Sequence, residues 1–130
     1  MATTLAQKLQ IKPGQRLAVL NAPEGYLAHL TAELAGIAVA TDPAATDAVL
    51  LFVQSLEEAT GQAPGAMHSV PPGGLMWIAY PKGTSKVKTD VNRDRLWEAL
   101  VPTGWRPVRQ VALDDVWSAI RFRPAHEVGQ

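Results

Sequence analysis

Three short, uninterrupted apolar runs constrain the fold of this chain more than any other feature of its sequence. They lie within residues 16–21, 47–53 and 75–80, and none approaches the ~18–20 residues needed to cross a membrane. A run that is apolar at consecutive positions is typical of a strand buried on both faces of a sheet. The sequence therefore predicts three central strands of a mainly parallel sheet.

Helix-type spacing fills the segments around these strands. A short first helix is predicted over residues 5–9, and apolar residues recur at three- and four-residue intervals over residues 23–35. After a polar loop at residues 81–92, Asn92 or Asp90 is expected to cap a further helix. The predicted apolar stripe of that helix consists of Leu96, Trp97, Leu100 and Val101.

A capping box marks the helix between the second and third central strands. Ser55 is followed three residues later by Glu58, and together they predict a helix that ends near residue 68. Gly61 and Pro64 lower the helix propensity and predict a break near Ala63.

The C-terminal part of the chain predicts an antiparallel hairpin. Residues 105–113 and 116–123 are rich in β-forming residues and are joined across Asp114-Asp115. Strands that alternate with helices imply right-handed crossovers, so we expect an α/β fold, a three-layer α/β/α sandwich with this hairpin at one edge. A chain of 130 residues suits a single domain, predicted over residues 1–124, with a tail at 125–130.

Cysteine usage and the N-terminus predict where such a protein works. The chain has no cysteine, which excludes disulfides and thiolate chemistry. Residues 1–4 carry no basic region followed by an apolar stretch, so no secretory signal is apparent. These features predict a cytoplasmic protein that does not bind a membrane.

The charges are balanced in total but separated along the chain. There are 12 basic and 12 acidic residues, yet residues 17–81 contain six acidic residues and no lysine or arginine. A neutral total argues against general attraction to nucleic acid, whereas a local basic loop is compatible with an anion site.

Three stretches resemble a known family of small bacterial proteins. They are residues 8–26 (KLQIKPGQRLAVLNAPEGY), 77–86 (WIAYPKGTSK) and 115–124 (DVWSAIRFRP). That family is catalogued only as a domain of unknown function, and the resemblance implies no activity.

The order of elements is loosely similar to the class I S-adenosylmethionine-dependent methyltransferase fold. Residues 37–40 predict a further short strand, the second along the chain. The likeness then implies the strand order 2-1-3-4-6-5, with a switch point between strands 1 and 3. It also implies a glycine-rich turn after strand 1, but the turn here, residues 21–25, has Gly25 alone, a Pro23 without an N–H and an acidic Glu24. Asp42 lies where a ribose-binding acid is expected but also suits a turn. No cofactor is predicted.

The basic loop of residues 82–95 is the strongest candidate site in the sequence. It leaves the carboxyl end of a central strand, the edge where open α/β sheets bind ligands. Asn21 is expected at the same edge. The side chains and backbone expected to hold an anion are Lys82, Gly83, Thr84, Ser85, Lys86, Lys88 and Asn21. A solvated loop, or one paired with acidic residues across a subunit interface, is the alternative.

Other chemistry-bearing residues give weaker signals. Ser85 and Lys88 match the Ser-x-x-Lys spacing without the expected helix start, and His29, His68 and His126 lie on separate segments with no local metal-ligand pair. The hairpin predicts a homodimer surface, because alternate residues of a strand share a face. Its residues are Trp117, Arg121 and Arg123.

Three functions remain open from the sequence. The leading hypothesis is a non-catalytic domain, dimeric, that binds an anionic small molecule or partner through the basic loop. The alternatives are a reduced methyltransferase-like enzyme and a structural protein that acts as a dimer. Nucleic acid is the least favoured partner, since no aromatic residue lies inside the loop.

Overall fold

The computed structural model of the chain describes residues 5–34, 36–41, 46–71, 73–82, 89–114 and 116–124. The predicted tail at residues 125–130 and Asp42 lie outside the described residues, as do Gly83, Thr84, Ser85, Lys86 and Lys88.

The described residues form six strands and four α-helices. The strands are β1 (Arg16–Leu20), β2 (Ala38–Ala40), β3 (Ala48–Phe52), β4 (Leu75–Pro81), β5 (Trp105–Ala112) and β6 (Trp117–Pro124). The helices are α1 (Leu5–Lys8), α2 (Tyr26–Glu33), α3 (Leu56–Ser69) and α4 (Arg93–Leu100), the last followed by a 3₁₀ turn, Val101–Thr103.

The strands form one mixed sheet in the order β2-β1-β3-β4-β6-β5. β1 pairs in parallel with β2 and β3, and β3 pairs in parallel with β4. β6 is antiparallel to both β4 and β5. The α/β fold and its C-terminal antiparallel hairpin are therefore confirmed. The parallel strands place the carboxyl ends of β1, β3 and β4 along one edge of the sheet.

Two apolar cores lie on the two faces of the sheet. One contains Leu30 of α2 with Leu17, Leu50 and Trp77 of the strands. The other contains Ala59, Ala63, Ala66 and Met67 of α3, Leu96 and Leu100 of α4, and Val49, Leu51, Ile78 and Phe122 of the strands. All five residues of β3 are buried, which explains the uninterrupted apolar run.

The predicted break in α3 is wrong. The helix runs from Leu56 to Ser69 with Pro64 inside it. Pro64 lies on the exposed side, whereas Ala59, Ala63 and Ala66 are buried against the sheet. Burial of this face outweighs the ~3 kcal/mol that an internal proline costs a helix.

The two candidate caps near α4 serve different helices. The side chain of Asn92 caps α4 by accepting a 2.8 Å hydrogen bond from the Arg95 N–H. The carboxylate of Asp90 instead accepts a 2.9 Å bond from the Leu56 N–H at the start of α3. Arg93 and Arg95 lie in the first turn of α4, so the loop ends before residue 95.

Two members of the predicted apolar stripe are on the surface. Trp97 is 41% exposed and Val101 56% exposed, while Leu96 and Leu100 are buried. Within the described ranges, no helix combines the length and apolar character that a membrane crossing needs.

Candidate functional site

A cleft of about 210 Å³ opens at the carboxyl ends of β1 and β3. The chain leaves β1 for α2 on one face of the sheet and leaves β3 for α3 on the other, so the two helices diverge at this point. Open α/β sheets bind ligands at such a switch point. The cleft is lined by Asn21, Ala22, Pro23, Phe52, Gln54, Glu58 and Trp117.

Asn21 spans the mouth of this cleft. Its φ of +59° is left-handed, a conformation that asparagine tolerates better than most residues. Its Nδ2 donates to the Phe52 carbonyl over 2.8 Å and to Oε2 of Glu58 over 3.3 Å. One amide therefore connects the end of β1 with the end of β3 and with α3.

Glu58 supplies the negative charge of the cleft. Its Oε1 accepts a 2.6 Å hydrogen bond from the Gln54 N–H, and its own N–H donates to Oγ of Ser55 over 3.0 Å. The bond to Ser55 is one half of the predicted capping box. The Glu58 carboxylate accepts from Gln54 rather than from the Ser55 N–H, and this bond holds it beside Asn21. A fixed carboxylate with neighbouring amides favours a cationic or hydrogen-bonding ligand and repels phosphate.

The turn between β1 and α2 retains part of a glycine-rich geometry. Gly25 has a φ of +79°, and a Cβ built on it would meet nothing within 4 Å. The backbone is therefore open there. α2 begins at Tyr26, later than the predicted start at residue 23, because Gly25 is its N-cap.

Aromatic rings form the wall of the cleft on the β6 side. Phe52 meets Trp117 edge to face with centroids 5.0 Å apart, and Tyr26 meets Phe52 at 5.1 Å. Trp117 is only 5% exposed. Its ring packs inside its own chain and offers little surface to a partner, while the predicted dimer itself stays a prediction.

Asp114 holds this wall in place. Its Oδ1 accepts 2.7 Å hydrogen bonds from the Val116 and Trp117 N–H groups, and its Oδ2 accepts one of 2.7 Å from the Tyr26 hydroxyl. Burial alone would raise the pKa of Asp114, but the bonds from Trp117, Tyr26 and Val116 hold it below its ordinary value. Burial and the nearby Asp114 raise the pKa of Tyr26, so its hydroxyl stays a donor.

The two ends of the predicted basic loop lie at the same edge of the sheet. The half-buried Lys82 follows β4, and its N–H donates to the Val116 carbonyl over 2.7 Å. Thr89 donates to the Gln54 carbonyl over 2.6 Å. Of the predicted anion site, the structure describes only Asn21 and Lys82, and it places both at this edge.

The remaining candidates are not brought together. His29 is exposed on α2 with its ring 5.4 Å from that of Tyr26, and His68 is exposed near the end of α3, while His126 lies outside the described residues. Across the described part of the chain, no three histidine, aspartate or glutamate side chains are placed to hold a metal ion.

Sequence reasoning missed Glu58 and Gln54 as lining residues of the cleft, and it missed the Tyr26–Asp114 pair that supports the cleft wall. The sequence predicts Glu58 only as part of the cap of α3, and this role omits its place in the cleft. Its position could have indicated this second role, because Glu58 lies in the first turn of the helix that follows a central strand. No local pattern pairs Tyr26 with Asp114, because 88 residues separate them.

No protein-family model matches this chain, and no curated protein matches it in sequence. Its resemblance to the uncharacterised bacterial family therefore stays a prediction.

The solved structures that this chain resembles in fold include several methyltransferases. An O-methyltransferase from neocarzinostatin biosynthesis aligns over 85% of this chain and 49% of its own, with a TM-score of 0.64 and 12% identity. A SAM-dependent methyltransferase from Aquifex aeolicus aligns over 91% and 86%, with a TM-score of 0.61 and 13% identity.

A third example is magnesium protoporphyrin IX methyltransferase from Synechocystis. It aligns over 85% of this chain and 74% of its own, with a TM-score of 0.56 and 10% identity. The chain spans about half the length of the first of these enzymes. At such identities the likeness is one of fold.

Proposed function

We propose that this chain is a reduced methyltransferase-like protein that binds S-adenosylmethionine in the cleft between β1 and β3. The observation that carries the proposal is the cleft itself, which opens at the switch point of the sheet and is lined by one carboxylate and two amides. Ligands of open α/β folds bind at this position.

The chemistry of the cleft suits a cationic ligand. S-Adenosylmethionine carries an ammonium and a sulfonium, and Glu58 offers a carboxylate held by Gln54 and Asn21. Pro23 has no N–H to offer a phosphate, and Glu24 repels one, so a dinucleotide fits this turn poorly. Bound here, S-adenosylmethionine would supply a methyl group for transfer.

The size of the cleft limits how the ligand would lie. At about 210 Å³ it is smaller than the roughly 300–1,000 Å³ of ordinary ligand sites, so it takes one end of the molecule. An open groove of about 640 Å³ continues from it along the first turns of α3 and shares Gln54 and Glu58 with it. Asn21 would turn its amide from the Phe52 carbonyl towards the ligand.

Isothermal titration with S-adenosylmethionine and S-adenosylhomocysteine tests this proposal. We expect binding to the wild type and about tenfold weaker binding to Glu58→Gln, because the variant loses a charge-assisted hydrogen bond of roughly 1.5 kcal/mol. Glu98→Gln is the matched control, since Glu98 is an exposed residue of α4 that does not line the cleft. An absence of heat at millimolar protein and ligand would refute the proposal.

A second candidate is non-catalytic anion binding by the basic loop. The observation in its favour is that Lys82 leaves β4 at the same edge as the cleft. Replacement of Lys82, Lys86 and Lys88 by alanine should then abolish phosphate binding and leave S-adenosylmethionine binding unchanged. If phosphate binds the triple variant and the wild type equally, this candidate fails.

A further inference from the structure

Four arginines share one face of the β5–β6 ribbon. Arg106 lies directly opposite Arg123, and Arg109 directly opposite Arg121, so the members of each pair point to the same side. Residues three apart in a regular strand point to opposite faces. A β-bulge between Pro107 and Arg109 adds one residue, which brings Arg109 to the side of Arg106.

This arginine face, Arg106, Arg109, Arg121 and Arg123, lies on the side of the sheet that carries α1 and α2. Trp77 of β4 pairs with Arg121 and belongs to the core on that side. Nη1 of Arg121 donates to Oε1 of Gln10 over 2.7 Å, so the segment after α1 reaches it. Arg106 and Arg109 are exposed, and Arg121 and Arg123 are half-buried.

The arrangement brings like charges together within the two strands. Directly opposite side chains have Cβ atoms about 4.5–5.5 Å apart, so the two guanidinium groups of a pair can reach the same ligand. β5 and β6 contain these four arginines and no acidic residue. Each guanidinium group carries several N–H donors in a fixed plane, so an anion bound across the two pairs would receive bidentate hydrogen bonds from more than one arginine.

The arginine face is separate from the cleft. β6 begins with Trp117 at the cleft wall, and Arg121 lies four residues further along, at ~3.3 Å per residue. The two sites can therefore succeed or fail independently in an experiment.

We propose that the arginine face binds a small anion with two or more linked phosphate groups, either free oligophosphate or the phosphate chain of a nucleotide. The patch is compact, since two cross-strand pairs occupy a few residues of one ribbon. The aromatic rings of this ribbon are not available on the arginine face: Trp117 and Phe122 are buried, and the half-buried Trp105 packs against the core on the other side of the sheet. A phosphate chain fits this surface better than a nucleic acid strand.

Isothermal titration of the full chain with tripolyphosphate is the test. We expect the wild type to bind tripolyphosphate. The double variant R106Q/R109Q should bind it at least about tenfold more weakly, because two guanidinium groups are lost. The control R16Q removes an exposed arginine outside both the arginine face and the basic loop, and it should bind like the wild type. R106K/R109K keeps both positive charges but loses the planar guanidinium groups that donate two parallel hydrogen bonds, so it should give an intermediate affinity.

Further arms separate the sources and the alternatives. ATP binding more tightly than tripolyphosphate assigns the site to nucleotides, equal affinities assign it to the phosphate chain, and both support the proposal. It is overturned if tripolyphosphate fails to bind at millimolar concentration or binds R106Q/R109Q like the wild type. Tighter binding of a short single-stranded oligonucleotide than of tripolyphosphate also overturns it.

Two checks keep the test decisive. Thermal melts establish that each variant folds. If the double variant does not fold, the single variants R106Q and R109Q replace it, and each is expected to weaken binding by about threefold. The variant in which Lys82, Lys86 and Lys88 are alanine should keep tripolyphosphate binding. Loss of binding in that variant alone would assign the anion to the basic loop and contradict the proposal.

Discussion

At the scale of single residues, Asp114 connects more of the candidate site than any sequence pattern indicates. Its carboxylate joins the start of β6 to Tyr26 at the first residue of α2. Sequence reasoning identified the Asp114-Asp115 pair only as a turn. The rest depends on how α2 lies against the hairpin, which a local pattern does not encode.

Replacement of Tyr26 by phenylalanine should destabilise the protein by about 1.5 kcal/mol, because it removes a hydrogen bond to a charged acceptor while leaving the ring in place. Urea denaturation measures this as a lower midpoint with an unchanged slope. Thr31→Val is a useful comparison, since the Thr31 hydroxyl bonds only within α2 and is exposed. A similar loss in both variants would argue against a special role for the Tyr26–Asp114 bond.

The stability of the fold should depend on the ionisation of Asp114. Its pKa is below the ordinary 3.8 in the folded chain, so the ionised carboxylate stabilises the protein above pH about 4. That contribution is lost as the pH falls through the folded-state pKa. The difference in unfolding free energy between wild type and Asp114→Asn should therefore be largest near neutral pH and shrink in acid. A difference that is constant from pH 7 to about 3 would contradict this account.

Asn21 and Glu58 illustrate how far residue-level prediction reaches. The position of Asn21 followed from a general rule, because a polar residue directly after a buried parallel strand lies at the ligand edge. The contact between Asn21 and Glu58 did not follow, since it depends on the relative heights of β1 and β3, a register visible only in the folded sheet.

At the scale of elements, α3 receives part of its N-terminal capping from a distant segment. Ser55 accepts the Glu58 N–H, and Asp90, 34 residues from Leu56, accepts the Leu56 N–H. A carboxylate at this position also interacts favourably with the positive end of the helix. The end of the basic loop is thereby tied to the start of α3, beside the cleft.

Asp90→Ala should lower the stability by about 1 kcal/mol, the usual cost of a lost capping interaction. Asp90→Asn should recover part of this, because the amide oxygen still accepts the hydrogen bond while the charge is gone. Thermal unfolding of both variants at low and high salt separates the two contributions. Equal stability of wild type and Asp90→Ala would show that the bond to Leu56 contributes nothing.

Element prediction succeeded where burial and local pattern agree and failed where they conflict. The three apolar runs became β1, β3 and β4, because no helix-compatible polar face interrupts them. Pro64 conflicts with the helix pattern around it, and the packing of Ala63 and Met67 against the sheet decides the outcome. Trp97 was assigned to the buried stripe, but α4 contacts the core through Leu96 and Leu100 alone among its own residues.

At the scale of the whole molecule, the strand order determines how strongly each strand's amides are protected from hydrogen exchange. β3 and β4 lie in the interior of the sheet and are buried along their length, whereas β2 and β5 are its edges. Hydrogen exchange followed by mass spectrometry should therefore show the slowest exchange in β3 and β4 and much faster exchange in β2 and β5. β5 is eight residues long, so it gives more edge-strand amides for this comparison than the three-residue β2. Protection of β5 equal to that of β3 would indicate that a second chain covers this edge in solution.

The overall architecture was more predictable than the site. Right-handed crossovers leave few arrangements for strands that alternate with helices, and the methyltransferase likeness then selects the order that the sheet shows. The arginine face was only partly predicted, from Arg121 and Arg123. Arg106 and Arg109 join it through a β-bulge, and a one-residue irregularity of this kind leaves no sequence signature at Val108.

The position of β6 has a consequence for how the protein is made. β6 is the last of the described strands in chain order, yet it lies between β4 and β5 and contributes Trp117 to one core and Phe122 to the other. A ribosome therefore releases β5 before the strand that pairs with it. Until residues 117–124 emerge, the nascent chain presents two unpaired strand edges and two open cores. That interval is when chaperones and proteases have most access to this domain.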